Sequence, residues 1–103
     1  MHNLISIAMC SYNGERFIKE QIDSIIAQTY KNFELIIVDD GSKDNTINII
    51  KEYQSKDLRI KLFQNDNNLG FVKNFEKAIS LCSGDFIALA DQDDVWKKNK
   101  LEV

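Results

Sequence analysis

The feature of this sequence that most constrains its fold is the alternation of short apolar runs with amphipathic segments. The apolar runs occupy residues 4–10, 33–38, 60–63 and 86–90. In the first run Ile5, Ile7 and Met9 alternate with smaller residues, which is the period of a strand. The second run is apolar almost throughout, and this predicts a central strand covered on both faces.

Between the apolar runs, apolar side chains recur at the spacing of a helix. The spacing predicts one helix over residues 15–28 and a second from an N-cap at Asp44 or Asn45 to about residue 56. A third helix is expected to start at Gly70, with Gly84 as its C′ glycine. Its predicted inner face consists of Phe71, Phe75, Ala78, Ile79 and Cys82.

The resulting order, β-α-β-α-β-α-β, predicts an α/β fold with a parallel sheet and right-handed crossovers. The chain of 103 residues is long enough for one domain with one modest core. Residues 97–103 resemble a helix that is just beginning, with no stop signal after it. We therefore expect a truncated piece of a longer protein.

Composition excludes some classes of function and leaves others open. The net charge of −3 gives no electrostatic reason to expect nucleic acid as a partner. No apolar run approaches the ~18 residues of a membrane span, and the N-terminus lacks the pattern of a signal peptide. Cys10 and Cys82 stand far apart in apolar contexts, which favours core positions and a cytoplasmic protein over a disulfide framework.

Polar residues follow each of the four predicted strands. Because the strands of a parallel sheet end at one edge, these four exits should lie together at the edge where such folds bind ligands. Six or more carboxylates would crowd this rim and repel a bare phosphate, whereas a divalent cation would let the rim hold a diphosphate. The four exits are residues 10–13, 39–42, 64–66 and 91–94.

The exit of the fourth strand is the most acidic, with Asp91, Asp93 and Asp94 in four residues. One like-charge pair ~4 Å apart costs about 4 kcal/mol at an effective dielectric of ~20. A cluster of this kind is either a solvated acidic loop or a site for Mg²⁺ or Mn²⁺, which bind carboxylates and leave positions open for substrate phosphates.

The exit of the first strand carries no dinucleotide or P-loop fingerprint, which disfavours NAD enzymes and P-loop NTPases. Tyr12 is either an aromatic residue at the strand boundary or a platform on which a nucleobase stacks. Asp40 is either a turn residue that bonds to its own backbone or an acceptor for a base or ribose.

Taken together, these segments resemble family 2 glycosyltransferases of the GT-A fold along essentially the whole chain. No single motif is decisive, but several in the family's order and spacing are specific. The segments that carry the resemblance are residues 7–14, 28–30, 33–42, 68–70 and 90–96.

The resemblance implies that residues 1–103 form the N-terminal, Rossmann-like half of a GT-A domain, which binds a nucleotide sugar. Tyr12 would stack on the base, Asp40 would hydrogen-bond to it, and Asp39 would help to position the nucleoside. The acidic cluster would be the family's DxD-type motif. The implied donor-binding residues are Cys10, Tyr12, Asn13, Asp39, Asp40, Asp91 and Asp93, and the implied ligands of Mg²⁺ or Mn²⁺ are Asp93 and Asp94. Cys10 departs from the Thr or Pro that family members often carry.

The implied reaction is inverting transfer of a sugar from a UDP- or dTDP-sugar to an acceptor hydroxyl, in bacterial polysaccharide synthesis. The acceptor would be a saccharide or a lipid-linked glycan, with work at the inner face of the plasma membrane. A general base is expected beyond residue 103, so the isolated piece should be inactive. A sheet edge left unpaired would favour a homodimer.

Two alternatives belong to other classes. A signalling receiver domain also binds Mg²⁺ at an Asp pair in a parallel sheet. Receivers, however, carry that pair after the first strand, whereas here Asp39 and Asp40 follow the second. The other alternative is a nucleotide-binding or oligomerisation module without turnover.

Overall fold

The structure, a computed structural model, describes residues 3–90, Trp96 and Leu101. It contains four strands and three helices in the predicted order. These are β1 (Ile5–Ser11), α1 (Ile18–Ile26), β2 (Phe33–Asp39), α2 (Thr46–Lys56), β3 (Ile60–Gln64), α3 (Phe71–Ser80) and β4 (Phe86–Ala90). The first helix is shorter than predicted because residues 15–17 form a turn, in which the backbone N–H groups of Phe17 and Ile18 both donate to Gly14 O.

The four strands form one parallel sheet in the order β3-β2-β1-β4. The predicted α/β fold with a parallel sheet is therefore confirmed. This is the strand order of the mononucleotide-binding half of a Rossmann fold, in which the order reverses beside β1. Receiver domains instead place the first strand between the second and the third. The receiver alternative is therefore wrong.

The two faces of β1 and β2 pack against different helices. Ile7 and Met9 of β1 belong to a core cluster with residues of α1 and α2, such as Ile22 and Ile50. The alternate residues of these strands join a second, smaller cluster that includes Ala78 of α3. The predicted alternation in β1 and the predicted burial of β2 on both faces are confirmed.

The inner face of α3 differs from the prediction. Phe71 is 69% exposed and Ile79 is 38% exposed, whereas Asn74 is buried and lies beside Ala78 on the inner face. Asn74 is buried because its side-chain amide donates to the carbonyl of Val38 at 3.0 Å. A polar contact with the end of β2 therefore takes the place that the apolar periodicity assigned to Phe71.

Gly84 has a different role from the predicted helix C′ position. The helix ends at Ser80 with Leu81 as its C-cap, and Gly84 is not among the glycines with positive φ. A Cβ at Gly84 would lie 2.7 Å from Leu4 O and 2.8 Å from the backbone N of Ser6. The glycine is therefore required by the close approach of this loop to the start of β1.

No helix in the described part of the chain combines the length and the apolar character of a membrane span.

Candidate functional site

A cavity of about 310 Å³ opens at the carboxyl ends of β1 and β2, next to the first turns of α3. The predicted exits of β1 and β2 thus line one cavity, because strands in a parallel sheet end together, and Asn65 of the third exit donates a hydrogen bond to Asp40. The cavity is lined by Cys10, Ser11, Tyr12, Asp40, Asn68, Gly70, Phe71, Asn74 and Phe75.

Asp40 is the charged residue in the wall of this cavity. Its side chain is 6% exposed. Oδ1 accepts hydrogen bonds from Asn65 Nδ2 (2.9 Å) and from the backbone N–H of Leu69 (2.7 Å), and Oδ2 accepts one from the N–H of Gly70 (3.1 Å). Burial by itself raises the pKa of Asp40, but these three hydrogen bonds and the charge of Lys77 outweigh burial and lower it. Asp40 is therefore an ionised carboxylate at neutral pH.

Asp39, one residue earlier, accepts hydrogen bonds from the end of β1 and from the turn after β2. Its Oδ1 accepts from the hydroxyls of Ser11 (2.7 Å) and Ser42 (2.6 Å), and its Oδ2 accepts from the N–H groups of Gly41 (3.1 Å) and Ser42 (2.8 Å). Three of these bonds fix the turn after β2, and the bond from Ser11 joins this turn to the end of β1. Asp39 thus shapes the rim, while its neighbour faces the cavity.

Asn13 joins the same two loops from the other side. Its backbone N–H donates to Ser42 Oγ (2.8 Å), and its side-chain oxygen accepts from the N–H of Lys43 (2.8 Å). It adopts a left-handed conformation with φ 48°, which Asn tolerates better than most residues. Like Asp39, Asn13 holds the rim in shape.

The apolar part of the cavity wall comes from β1 and α3. Tyr12 is 42% exposed at the end of β1, and Cys10 is buried two residues before it. The ring of Phe71 lies edge-to-face on Phe75, with ring centroids 5.0 Å apart. A planar ligand that enters the cavity would meet aromatic side chains from both elements.

Behind Asp40 lies a set of polar side chains that the sequence analysis did not identify as functional. Asn65 Nδ2 donates to Asn74 Oδ1 (2.6 Å) as well as to Asp40, and Lys77 Nζ donates to Asn65 Oδ1 (2.6 Å). Asn65 belongs to a polar strand exit, which was a usable signal. Asn74 and Lys77 lie inside an amphipathic helix and gave no such signal.

The structure brings Cys10, Tyr12 and Asp40 together around one cavity and places Asn13 and Asp39 in the loops that form its rim. Asp91, Asp93 and Asp94 lie outside the described residues. The flanking residues are described: Ala90 is buried at the end of β4, and Trp96 is buried in the core cluster of α1 and α2. Among residues 3–90, Trp96 and Leu101, no group of three His, Cys, Asp or Glu side chains is placed to hold a metal.

Comparison with known sequences gives a consistent result. The profile of the family described as "Glycosyl transferase family 2" matches residues 6–103. The UDP-Glc:alpha-D-GlcNAc-diphosphoundecaprenol beta-1,3-glucosyltransferase WfgD of Escherichia coli is 45% identical over 97% of this chain and 39% of its own length. An uncharacterized glycosyltransferase of Haemophilus influenzae is 41% identical over 96% of this chain and 31% of its own length. The chain thus spans between 31% and 39% of the length of these relatives.

Comparison with solved structures agrees. The structure of Staphylococcus aureus TarS residues 1–349 in complex with UDP matches with a TM-score of 0.88 and 33% identity, covering 95% of this chain and 30% of that one. The same protein in complex with UDP-GlcNAc also matches with a TM-score of 0.88, at 32% identity over 98% of this chain and 29% of that one.

Proposed function

Because the chain belongs to glycosyl transferase family 2, we propose that residues 1–103 form the N-terminal, donor-binding part of an enzyme that transfers a sugar from a UDP- or dTDP-sugar. The observation that carries the proposal is the single cavity shared by Tyr12 and the ionised Asp40. An aromatic face and an acceptor-only carboxylate are the two groups needed to stack a nucleobase and to read its N–H edge.

The chemistry of Asp40 favours particular bases. A carboxylate that is only an acceptor attracts the N3–H of uracil or thymine and repels the N3 lone pair of cytosine. Support comes from the names of relatives, since the WfgD of E. coli is described as using UDP-Glc and TarS was solved with UDP and with UDP-GlcNAc. In this arrangement Cys10 forms the floor beside the base, and Asn13 and Asp39 keep the nucleoside end of the rim in shape.

We assign the metal site to Asp93 and Asp94, with Asp91 as a further contact for the donor. Carboxylate oxygens are the ligands that Mg²⁺ and Mn²⁺ prefer, so the donor set fits either ion. The segment directly follows Ala90, whose strand pairs with β1 at Met9. A bound cation would offset the negative charge of the leaving diphosphate.

The proposed reaction inverts the anomeric configuration by direct attack of an acceptor hydroxyl on the donor sugar. This attack needs a general base within hydrogen-bond reach of the hydroxyl. We place that base, a carboxylate, outside residues 1–103, since the chain spans at most 39% of the relatives described above. The contribution of the described residues is to bind and orient the donor.

The acceptor we propose is a saccharide or a lipid-linked glycan of a bacterial polysaccharide pathway, and the site of action is the cytoplasmic face of the membrane. The name of WfgD supports this, because its acceptor is a sugar attached to diphosphoundecaprenol. An amphiphilic acceptor of that kind is reached most directly by an enzyme that works at a membrane surface.

Calorimetry with UDP- and dTDP-sugars in the presence of Mn²⁺ tests the proposal. We expect one donor to bind with heat, and Tyr12→Ala to weaken binding about tenfold through the loss of stacking. Asp94→Asn should remove the dependence on Mn²⁺ while leaving the affinity for the free nucleoside unchanged. If the intact protein gives no heat with either donor, the proposed function is wrong.

A second candidate, self-association, is favoured by one observation. The described residues place β4 at the edge of the sheet, with Phe86, Ile87 and Leu89 between 46% and 60% exposed. Apolar side chains on an edge strand favour pairing with another strand, and in a homodimer that strand would come from a second copy. Light scattering of the intact protein should then give twice the mass of one chain, and the mass of one chain would contradict a homodimer.

A further inference from the structure

A relay of hydrogen bonds runs from α3 to the wall of the cavity. It starts at the half-buried Lys77, whose Nζ donates to Asn65 Oδ1 at 2.6 Å. Asn65 Nδ2 in turn donates to Asp40 Oδ1 at 2.9 Å and to Asn74 Oδ1 at 2.6 Å. The remote end of the relay is therefore a cation on a helix, and the near end is the carboxylate that faces the ligand.

The cation fixes the orientation of the Asn65 amide. A side-chain amide has one end that accepts and one end that donates, and the two ends are almost the same shape. With its oxygen bonded to Lys77, the amide can present only its NH₂ group to Asp40. In the opposite orientation an amide oxygen would face the carboxylate, and two acceptors would repel each other.

The orientation of Asp40 depends on this bond. Oδ1 already accepts from Asn65 and from Leu69, whereas Oδ2 accepts one bond, from the N–H of Gly70. Since each carboxylate oxygen offers about two acceptor sites, the site that no described residue uses lies on Oδ2. Loss of the bond from Asn65 would let the carboxylate rotate about its last bond and would move this acceptor site.

We propose that Lys77 is a positioning residue for the choice of nucleotide: through Asn65 it holds the Asp40 carboxylate in the orientation that distinguishes uracil or thymine from cytosine. This inference rests on the proposed function, because it takes Asp40 as the group that contacts the base. It differs from a general electrostatic role, in which the ammonium group would attract the diphosphate of every nucleotide equally.

The experiment compares the binding of UDP and of CDP to the intact protein by calorimetry. The variants are Lys77→Met, which keeps the apolar stem, and Lys77→Arg, which keeps a charged donor. Lys51→Met removes the same charge from an exposed position on α2, which packs on the other face of the sheet, and serves as the matched control.

We expect the preference of the wild type for UDP over CDP to fall about tenfold in Lys77→Met, to recover in Lys77→Arg and to be unchanged in Lys51→Met. In an Asn65→Ala background, Lys77→Met should have no further effect, because residues that act through a shared partner are not additive. Where Lys77→Met does not fold, Asn65→Ala carries the test, with the same expected loss of preference.

Two results would overturn the inference while the proposed function survives. One is an equal loss of affinity for UDP and CDP in Lys77→Met, which indicates attraction of the diphosphate. The other is an unchanged preference in both Lys77→Met and Asn65→Ala. If the wild type itself binds neither UDP nor dTDP, the proposed function fails, and the inference fails with it.

Discussion

The start and the end of β2 each have a carboxylate on the α3 side of the sheet, and the two carboxylates have different surroundings. At the start, Glu34 accepts hydrogen bonds from Ser6 Oγ, from the backbone N–H and hydroxyl of Ser83, and from Lys61 Nζ. After the end, Asp40 accepts three and faces a cavity. Both carboxylates are held ionised, but of the two only Asp40 lines the cavity described above, where it can contact a ligand.

Glu34 stabilises the fold, whereas Asp40 belongs to the candidate binding site. Burial raises the pKa of Glu34, but the bonds from Ser6, Ser83 and Lys61 outweigh it and lower the pKa to about 2. Such a closed cluster ties the loop before β4 to the first two strands. Burial and a lowered pKa are therefore shared by both groups, and what distinguishes Asp40 as a binding group is its position in the wall of a cavity.

The largest effect on stability should come from Glu34→Ala. The change leaves the N–H of Ser83 and the charge of Lys61 without their partner, which should lower the free energy of unfolding by about 3 kcal/mol. Urea denaturation measures this. The exposed pair of Glu52 and Lys56 is the control, and Glu52→Ala should cost only about 0.3–0.5 kcal/mol. An equal loss of stability in both variants would show that the buried, hydrogen-bonded Glu34 contributes no more than an exposed ion pair.

Two glycine substitutions should distinguish the region around Glu34 from the region around Asp40. Gly84→Ala forces a Cβ against Leu4 O and the N of Ser6 and should cost about 2 kcal/mol of stability, with nucleotide affinity unchanged. Gly70 has φ 87° and ψ 163°, a conformation that is essentially restricted to glycine. Because its N–H donates to Asp40, Gly70→Ala should weaken both stability and UDP binding.

Calorimetry and thermal unfolding of the two variants check this pair of expectations. Weakened UDP binding in Gly84→Ala would show that the two ends of β2 are coupled. It would contradict the assignment of separate roles to Glu34 and Asp40.

A smaller effect on stability, but a selective effect on binding, is expected for Asp40→Asn. The neutral amide accepts weaker hydrogen bonds from Leu69 and Gly70, so the free energy of unfolding should fall by about 1 kcal/mol. The affinity for UDP should fall about tenfold, which corresponds to 1.4 kcal/mol of binding free energy. Calorimetry with UDP measures the change in affinity. Glu34→Gln is the matched control, with an expected affinity equal to that of the wild type.

The pH dependence of stability gives a separate test of the cluster at Glu34. Because the pKa of Glu34 is lowered from 4.5 to about 2 on folding, its contribution is complete above pH 4.5 and declines as the pH falls toward 2. The difference in unfolding free energy between wild type and Glu34→Gln should therefore shrink across this window. A difference that stays constant from pH 6 to pH 3 would show that Glu34 does not titrate as inferred.

Sequence reasoning located the strands and the rim because both depend on local patterns. The alternation from Ile5 to Cys10 and the turn residues around Asp40 are visible in neighbouring letters. The partners of Glu34 are not, because Ser6 and Ser83 lie 28 and 49 residues away along the chain. Asn74 was missed for the same reason, since its burial depends on a bond to Val38, 36 residues earlier.

The single tryptophan of residues 1–103 gives the proposed metal site an optical reporter. Trp96 is 6% exposed, and its backbone N–H donates to Ser24 Oγ of α1 at 3.0 Å. It stands two positions after Asp94 in the sequence. The indole emission of residues 1–103 therefore arises two residues along the chain from a proposed ligand, and paramagnetic Mn²⁺ bound there should quench it whereas Mg²⁺ should not. Cation occupancy should thus be readable by titration with no nucleotide, acceptor or label present.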